Sequence, residues 1–409
     1  MTTVSLAPIG ILLFVACLIA MLTRRLGLPY IVWVVVAGFL IALLPGQPGF
    51  PLSRELIFNV FLPPLVFEAA FQLDWRRFRA ELPLTLTLAF LGVAIAAATV
   101  AGGMHWLAHW SWIGAALFGV LIAATDPVSV IAAFREMRCE PRLSMVVESE
   151  SLLNDGVAAV GFALLSAIAA GSSQAGADIF PAFLWTLGGG VAVGLVVSGV
   201  ILLIAGRTND PVVEMALTTI AAYGSFLLAE HVHASGIISA LAAGLMVGNI
   251  GWDRVLSDEG RNRVGWAWEF LAFLANSFVF ILIGLNLATQ PVRDLGSLAV
   301  VIAVGMVLLG RLLSIYPLAQ LFRATRWRLS PPYQHVLFWG GLRGALALAL
   351  ALAVPTSVPE RDAIVVTAFI VVAFSILVQG LTMPWLIRRF DLAERGAPDG
   401  AVPAPPPRS

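Results

Sequence analysis

The sequence predicts an all-α polytopic membrane protein: 13 transmembrane helices, read as two inverted six-helix repeats with broken crossing helices. Three observations carry that expectation. Of 409 residues, 59% are hydrophobic and 12% are charged. That is about half the ~25% charge of a soluble domain, and a soluble fold cannot bury so much apolar surface. Apolar runs of the ~20 residues needed to cross a bilayer recur along the whole chain. The arginines between those runs crowd into alternate connections.

The first run, 4–22, has no basic residue before it, and a second, 28–45, follows at once, so it reads as a span and not as a cleaved leader. The third, 54–73, carries FLPPLVFEAAF and places Glu68 inside the bilayer. After 82–103 comes the fifth run, 112–134, with Thr125-Asp126-Pro127 near its middle. The sixth, 144–170, contains VVESESLLNDGVA and brings in Glu148, Glu150, Ser151, Asn154 and Asp155. Runs at 181–206, 212–231, a short 235–250 and 265–289 follow. The eleventh, 295–316, encloses Arg311, and the twelfth, 334–354, contains Gly340-Gly341-Leu342-Arg343-Gly344. The thirteenth is 361–388, and residues 394–409, rich in Pro, Ala and Gly, read as a disordered cytoplasmic tail.

All 24 basic residues are arginine. Connections after odd-numbered spans, with the C-terminal end, hold 19 of them, and the opposite connections hold only Arg54, Arg293 and Arg361. This positive-inside bias sets the N-terminus outside and the C-terminus in the cytoplasm of a cell (inner) membrane protein. Zero net charge without a basic patch argues against a nucleic-acid partner. The absence of lysine removes any deprotonatable-amine mechanism, and no P-loop pattern offers ATP drive. Cys17 and Cys139 fit no metal or disulfide spacing. No cofactor is expected.

The remaining arginines, Arg311 and Arg343, lie within spans, where a charge is costly and is kept when paired or functional. At ~1.5 Å per residue, Asp155 and Arg343 fall roughly 14–16 Å from the cytoplasmic side, and Glu68, Asp126 and Arg311 lie in the same slab. Pro127 cannot donate a backbone hydrogen bond and displaces the carbonyl of Ala123, so span five must kink or unwind. Unwound backbone at that depth is tolerated where it lines a cavity. Three glycines in five residues weaken span twelve likewise. With span seven as a linker, both breaks fall in the fifth member of oppositely inserted halves, the pattern of a transporter site at a helix crossing. On span six, Ser151 and Asp155 share a face toward that site, while Glu150 and Asn154 share another, placed to pair with an arginine. Glu148 is nearer the cytoplasmic mouth, as an ion guide or as a solvated helix end. Carboxylates clustered in low dielectric hold a proton or a cation but not both, and that competition suffices for exchange.

These residues resemble the monovalent cation:proton antiporters, in particular the NhaP-type branch of sodium/proton exchangers. The resemblance runs from about residue 10 to 388 and rests on FLPPLVFEAAF, ATDPVSV, ESLLNDGVA, AEHVHASGIISALAAG and GLRGALALALAL in that order. It implies a transmembrane antiporter domain over 1–393, with a core (about 82–170 and 295–388) that moves like an elevator. A dimerisation part (about 1–73 and 181–289) would make a homodimer within membrane lipid. It places the cation and proton site on Asp155, Asp126, Glu68, Ser151 and Thr125. Glu150 and Arg311 become a stabilising pair assisted by Asn154, and Arg343 matches the arginine of the family's glycine-rich crossing helix, with Pro127 marking the other broken helix. Asn154-Asp155 matches the branch associated with electroneutral exchange. Na⁺ (with Li⁺) for H⁺ is the leading reading, and K⁺/H⁺ exchange on the same fold is the alternative. An intramembrane aspartyl protease would show Tyr-Asp and Gly-x-Gly-Asp, which are absent at Asp126 and Asp155. A cation channel would not need paired broken helices. His231 and His233 read as an interfacial pair or a pH sensor, Glu214 and Glu230 as ordinary helix-end acids, and Trp106, Trp110 and Trp112 as an interfacial belt.

Overall fold

The computed structural model describes residues 7–26, 29–44, 52–171, 179–290 and 297–393, so the tail from 394 lies outside the described residues. The described chain is helical almost throughout, with a single isolated backbone bridge between Cys139 and Ala393. The helices are α1 (Ala7–Leu26), α2 (Tyr30–Ala42), α3 (Arg54–Gln72), α4 (Trp75–Ala108) and a divided fifth, α5a (Trp112–Ala123) with α5b (Val128–Glu136). They continue as α6 (Pro141–Ala169), α7 (Ile179–Ala205), α8 (Pro211–His231), α9 (Gly236–Arg254) and α10 (Asp258–Leu287). Last come α11 (Ser297–Leu321), a divided twelfth, α12a (Pro331–Trp339) with α12b (Ala345–Leu352), and α13 (Arg361–Arg389).

Every apolar run of the sequence therefore has a helix. Among the described residues nine of them, α3, α4, α6 to α11 and α13, are long and apolar enough to cross a bilayer. The helices α1, α2 and α5a are shorter apolar pieces. Starts follow local chemistry: the side chains of Ser53, Asp74, Ser111, Asp210, Ser235 and Ser257 each accept a backbone N–H of the turn that follows. The Asp74 cap makes α4 begin at Trp75, well ahead of the apolar run at 82. Four helices contain a widened π turn, at Ile57–Phe61, Leu88–Gly92, Val247–Gly251 and Ser375–Gly380, which apolar patterning does not announce.

Packing sorts the helices into two groups. In one, α4 lies against α5a and α11, α6 against α5a, and α12b against α13 and α5a. In the other, α2 lies along α10, α3 along α9, and α7 against α8 and α9. Lighter contacts of α6 with α7 and α9, and of α12b with α3, join the two. Small residues let the second group approach backbone to backbone. A Cβ at Gly38 would sit 2.2 Å from the Ile281 carbonyl oxygen, and one at Gly284 would sit 2.1 Å from that of Val35.

Two side chains depart from the sequence reading. Trp110 is 7% exposed and packs edge-on against Phe118, because its chain turns inward after the left-handed His109; Trp106 and Trp112 do face outward. Glu214 is fully buried and accepts both the backbone N–H and the hydroxyl of Ser257, bracing the start of α10. Cys139, between helices, is buried, which pushes its thiol up to about 11 and leaves it unreactive near neutrality.

Candidate functional site

The breaks in the fifth and twelfth helices cross each other. Helix α5a ends at Ala123, Ala124 is extended, and α5b restarts at Val128. Helix α12a ends at Trp339 and α12b restarts at Ala345. A backbone bond ties the crossing: the Asp126 N–H donates to the Leu342 carbonyl at 2.8 Å. Buried backbone groups freed from a helix must find other partners, and here they do. The Leu337 carbonyl accepts from Arg311 Nε and Nη2 at 3.1 and 3.0 Å. The Trp339 carbonyl accepts from Gln379, and the Gly340 carbonyl from the Leu342 N–H. The Arg343 N–H donates to Ser375 Oγ at 3.0 Å, and Ser375 stands at the start of the π turn in α13.

The Asp126 carboxylate does two things. Its Oδ1 accepts the Val128 N–H at 2.9 Å and so caps α5b. Its Oδ2 faces Gly344, where a Cβ would come within 2.0 Å of that oxygen. Only glycine permits this approach. Thr125 is locked between helices: its N–H donates to Asn154 Oδ1 at 3.2 Å, its hydroxyl accepts from Asn154 Nδ2 at 2.6 Å, and it pairs with Ser151 Oγ at 3.0 Å.

Asn154 Nδ2 also donates to Glu150 Oε1 at 3.1 Å. Glu150, 1% exposed, takes a two-pronged bond from Arg311 at 2.7 and 3.0 Å. A chain of bonds therefore runs from α11 through α6 to the α5 break. The two faces assigned to span six are not independent, since Asn154 serves Glu150 and Thr125 together.

A cavity opens at the crossing. Asp126, Asp155, Thr125 and Gly344 share its wall with apolar residues of α3, α6 and α12b. Asp155 interacts electrostatically with Asp126, Glu150 and Arg343, with Asp126 foremost among them. Arg343 is 2% exposed and reaches the Ala124 carbonyl at 3.5 Å. Its positive charge sits where the C-terminal ends of α5a and α12a converge, which their dipoles favour.

Glu68 is not on the cavity wall. It bonds Gln72, whose other end accepts from Arg135 at 2.5 Å, with Glu148 and Glu269 in electrostatic range. The structure thus brings together Asp155, Asp126, Thr125 and Ser151, and sets Glu68 with Glu148 in a separate network beside the cavity. Asn276 of α10, which sequence reading passed over, also lines the cavity. One amide in an apolar helix carries no signal of what it faces.

The ensemble offers two carboxylates and neutral hydroxyl and carbonyl oxygens, hard ligands suited to a small cation. A profile of the family described as "Sodium/hydrogen exchanger, transmembrane" matches residues 11–389. The Na(+)/H(+) antiporter ApNhaP of Aphanothece halophytica is 38% identical over 89% of this chain and 70% of its own. The low-affinity Na(+)/H(+) antiporter NhaS1 of Synechocystis sp. is 38% identical over 93% of this chain and 74% of its own. The structure of the sodium proton antiporter MjNhaP1 from Methanocaldococcus jannaschii at pH 8 superposes with a TM-score of 0.73, at 19% identity, over 93% of this chain and 96% of that one, a likeness of fold. With its broken helices crossing at a shared carboxylate cavity, and with a profile match that spans nearly its whole length, this chain belongs to the sodium/hydrogen exchanger family, which is a family of transporters and not of enzymes.

Proposed function

We propose that this protein exchanges Na⁺, and also Li⁺, for H⁺ across the cell membrane, one for one. Asp155 and Asp126 are the groups that proton and cation share, Thr125 and Ser151 supply and position neutral oxygens, and Glu68 stands at the approach. Asp155 takes no hydrogen bond from the protein among the described residues, so its oxygens remain free to bind either partner. Arg311, Glu150 and Asn154 hold the crossing in shape, while Pro127 and Gly344 keep it open. The observation that carries this reading is the meeting of Asp126 and Asp155 on one cavity wall where two broken helices cross.

The grouping of helices supports a core (about 82–170 and 295–388) that moves as an elevator against a dimerisation part (about 1–73 and 181–289) in a homodimer. Thirteen crossings, with the N-terminus outside and the C-terminus in the cytoplasm, complete the reading. The test is dissipation of a preset pH gradient in proteoliposomes on adding Na⁺, Li⁺ or K⁺. Dissipation by Na⁺ and Li⁺ is expected. A response to K⁺ alone, or to no cation, overturns it.

A further inference from the structure

Asn276 occupies an unusual place on the cavity wall. The α5 break contributes Thr125 and Asp126 and α6 contributes Asp155 from the crossing side, beside Gly344 and the apolar start of α12b. On the facing side α3 contributes Leu62, Leu65, Val66 and Ala69, all apolar. The single polar side chain from that side is Asn276 of α10. Its neighbour shows how it is held. Ser277 bonds the Tyr30 hydroxyl of α2 at 2.7 Å and also the Phe273 carbonyl. Gly38 and Gly284 lock α2 and α10 together further along. These contacts fix the rotation of α10, and with it the direction of the adjacent Asn276.

Among the described residues no protein group satisfies the Asn276 carboxamide. Half-buried on an otherwise apolar wall, this amide is left for whatever occupies the cavity, water or ion, to complete. The carboxamide oxygen is a hard neutral acceptor, the kind alkali cations take in place of hydration water. We infer that Asn276 is a binding residue for the transported cation on the wall facing the crossing. Directly or through one water, its carboxamide oxygen meets an ion held by Asp155 and Asp126. This rests on the proposed exchange function and adds a ligand from the helix group that does not carry the carboxylates. The carboxamide cannot take up or release a proton near neutrality, so it favours the cation without competing for H⁺. It also meets the ion only while the crossing faces it, and so acts on one stage of transport.

The test compares wild type with Asn276→Ala and with Asn276→Leu, which keeps the volume and removes the oxygen. Initial rates of pH-gradient dissipation in proteoliposomes would be measured over a range of Na⁺ and Li⁺ concentrations. We expect both variants to raise the apparent KM for Na⁺ about three- to tenfold, with a changed Na⁺-to-Li⁺ ratio of KM values. Asn276→Gln, which retains the oxygen, should recover part of the loss. Wild-type KM in Asn276→Leu, or a fall in maximal rate with both KM values unmoved, overturns the inference. The wild-type trace separates the two levels: absence of any Na⁺ response there sinks the exchange reading, whereas a wild-type response with unmoved variant KM values sinks only the role of Asn276.

Discussion

At the scale of the residue, the proposed mechanism separates groups that exchange the ion from groups that hold them. Asp155 lacks a protein donor among the described residues, so Asp155→Asn breaks no bond that supports the fold. It should abolish cation-dependent dissipation of a pH gradient while thermal unfolding in detergent stays at or above the wild-type temperature. Robust exchange by that variant would remove Asp155 from the mechanism. Arg311 is the opposite case. It closes a two-pronged bond on Glu150 and also holds the Leu337 carbonyl. Arg311→Ala leaves a buried carboxylate unpaired, at a cost of about 3–5 kcal/mol. A large fall in melting temperature and in protein yield is expected, and an unchanged melting curve would count against the pair. The meeting of Asp126 and Asp155 was legible in the sequence because a carboxylate inside an apolar run has so few ordinary explanations, whereas the turning of Glu68 toward Gln72 instead of the cavity was not. Asn276 and Trp110 were not legible either, because amides and indoles occur in membrane helices for many reasons, and which way each turns is decided by packing between helices, through the Ser277–Tyr30 bond in one case and the Phe118 ring in the other.

At the scale of the element, the two helix breaks were readable and the joint between them was not. Pro127 removes a donor and Gly340, Gly341 and Gly344 weaken a helix wherever they occur, so both interruptions follow from local chemistry. That Asp126 would bond Leu342, and that Gly344 would receive the Asp126 carboxylate, needed the fold. The π turn at Ser375–Gly380 is of the same kind: its first residue bonds Arg343 across the crossing, a constraint absent from its own sequence. The joint makes a sharp prediction. An alanine Cβ at 344 would lie 2.0 Å from Asp126 Oδ2 and 2.5 Å from its Cβ. Asp126 cannot retreat, since both its N–H and its Oδ1 are engaged. Gly344→Ala should therefore push the two breaks apart, costing about 1–3 kcal/mol of stability and lowering the exchange rate at least about tenfold. A variant with wild-type transport and wild-type melting would show that the crossing is looser than the contacts imply.

At the scale of the whole molecule, two consequences follow from the proposed replacement of one charge by another at a single site. The first is a direction with pH. In the proposed mechanism protons and cations compete for the same carboxylates, so lowering the pH should fill the site with H⁺ and raise the apparent KM for Na⁺, by up to about tenfold per pH unit for one competing proton. Raising the pH lowers that KM until cation binding no longer waits on deprotonation. A KM independent of pH between 6 and 9 would mean that proton and cation use different groups. The second concerns voltage. If each half-cycle carries either one Na⁺ or one H⁺ on the same carboxylate pair, the two loaded forms bear equal charge and the cycle moves none across the membrane. If a further carboxylate, such as Glu68, also changed its proton within the cycle, each turnover would carry a net charge. Moving one charge through the membrane potential is worth about 2.3 kcal/mol per 100 mV. That would shift the Na⁺ ratio held at equilibrium by about fiftyfold. The two cases are therefore far apart experimentally. In proteoliposomes clamped with a K⁺ diffusion potential, the Na⁺ gradient sustained against a fixed pH gradient should be the same at zero and at about 100 mV. A shift approaching fiftyfold would assign a second titrating acid to the cycle, and the Glu68 network beside the cavity, joined through Gln72 to Arg135, is where that acid would be sought.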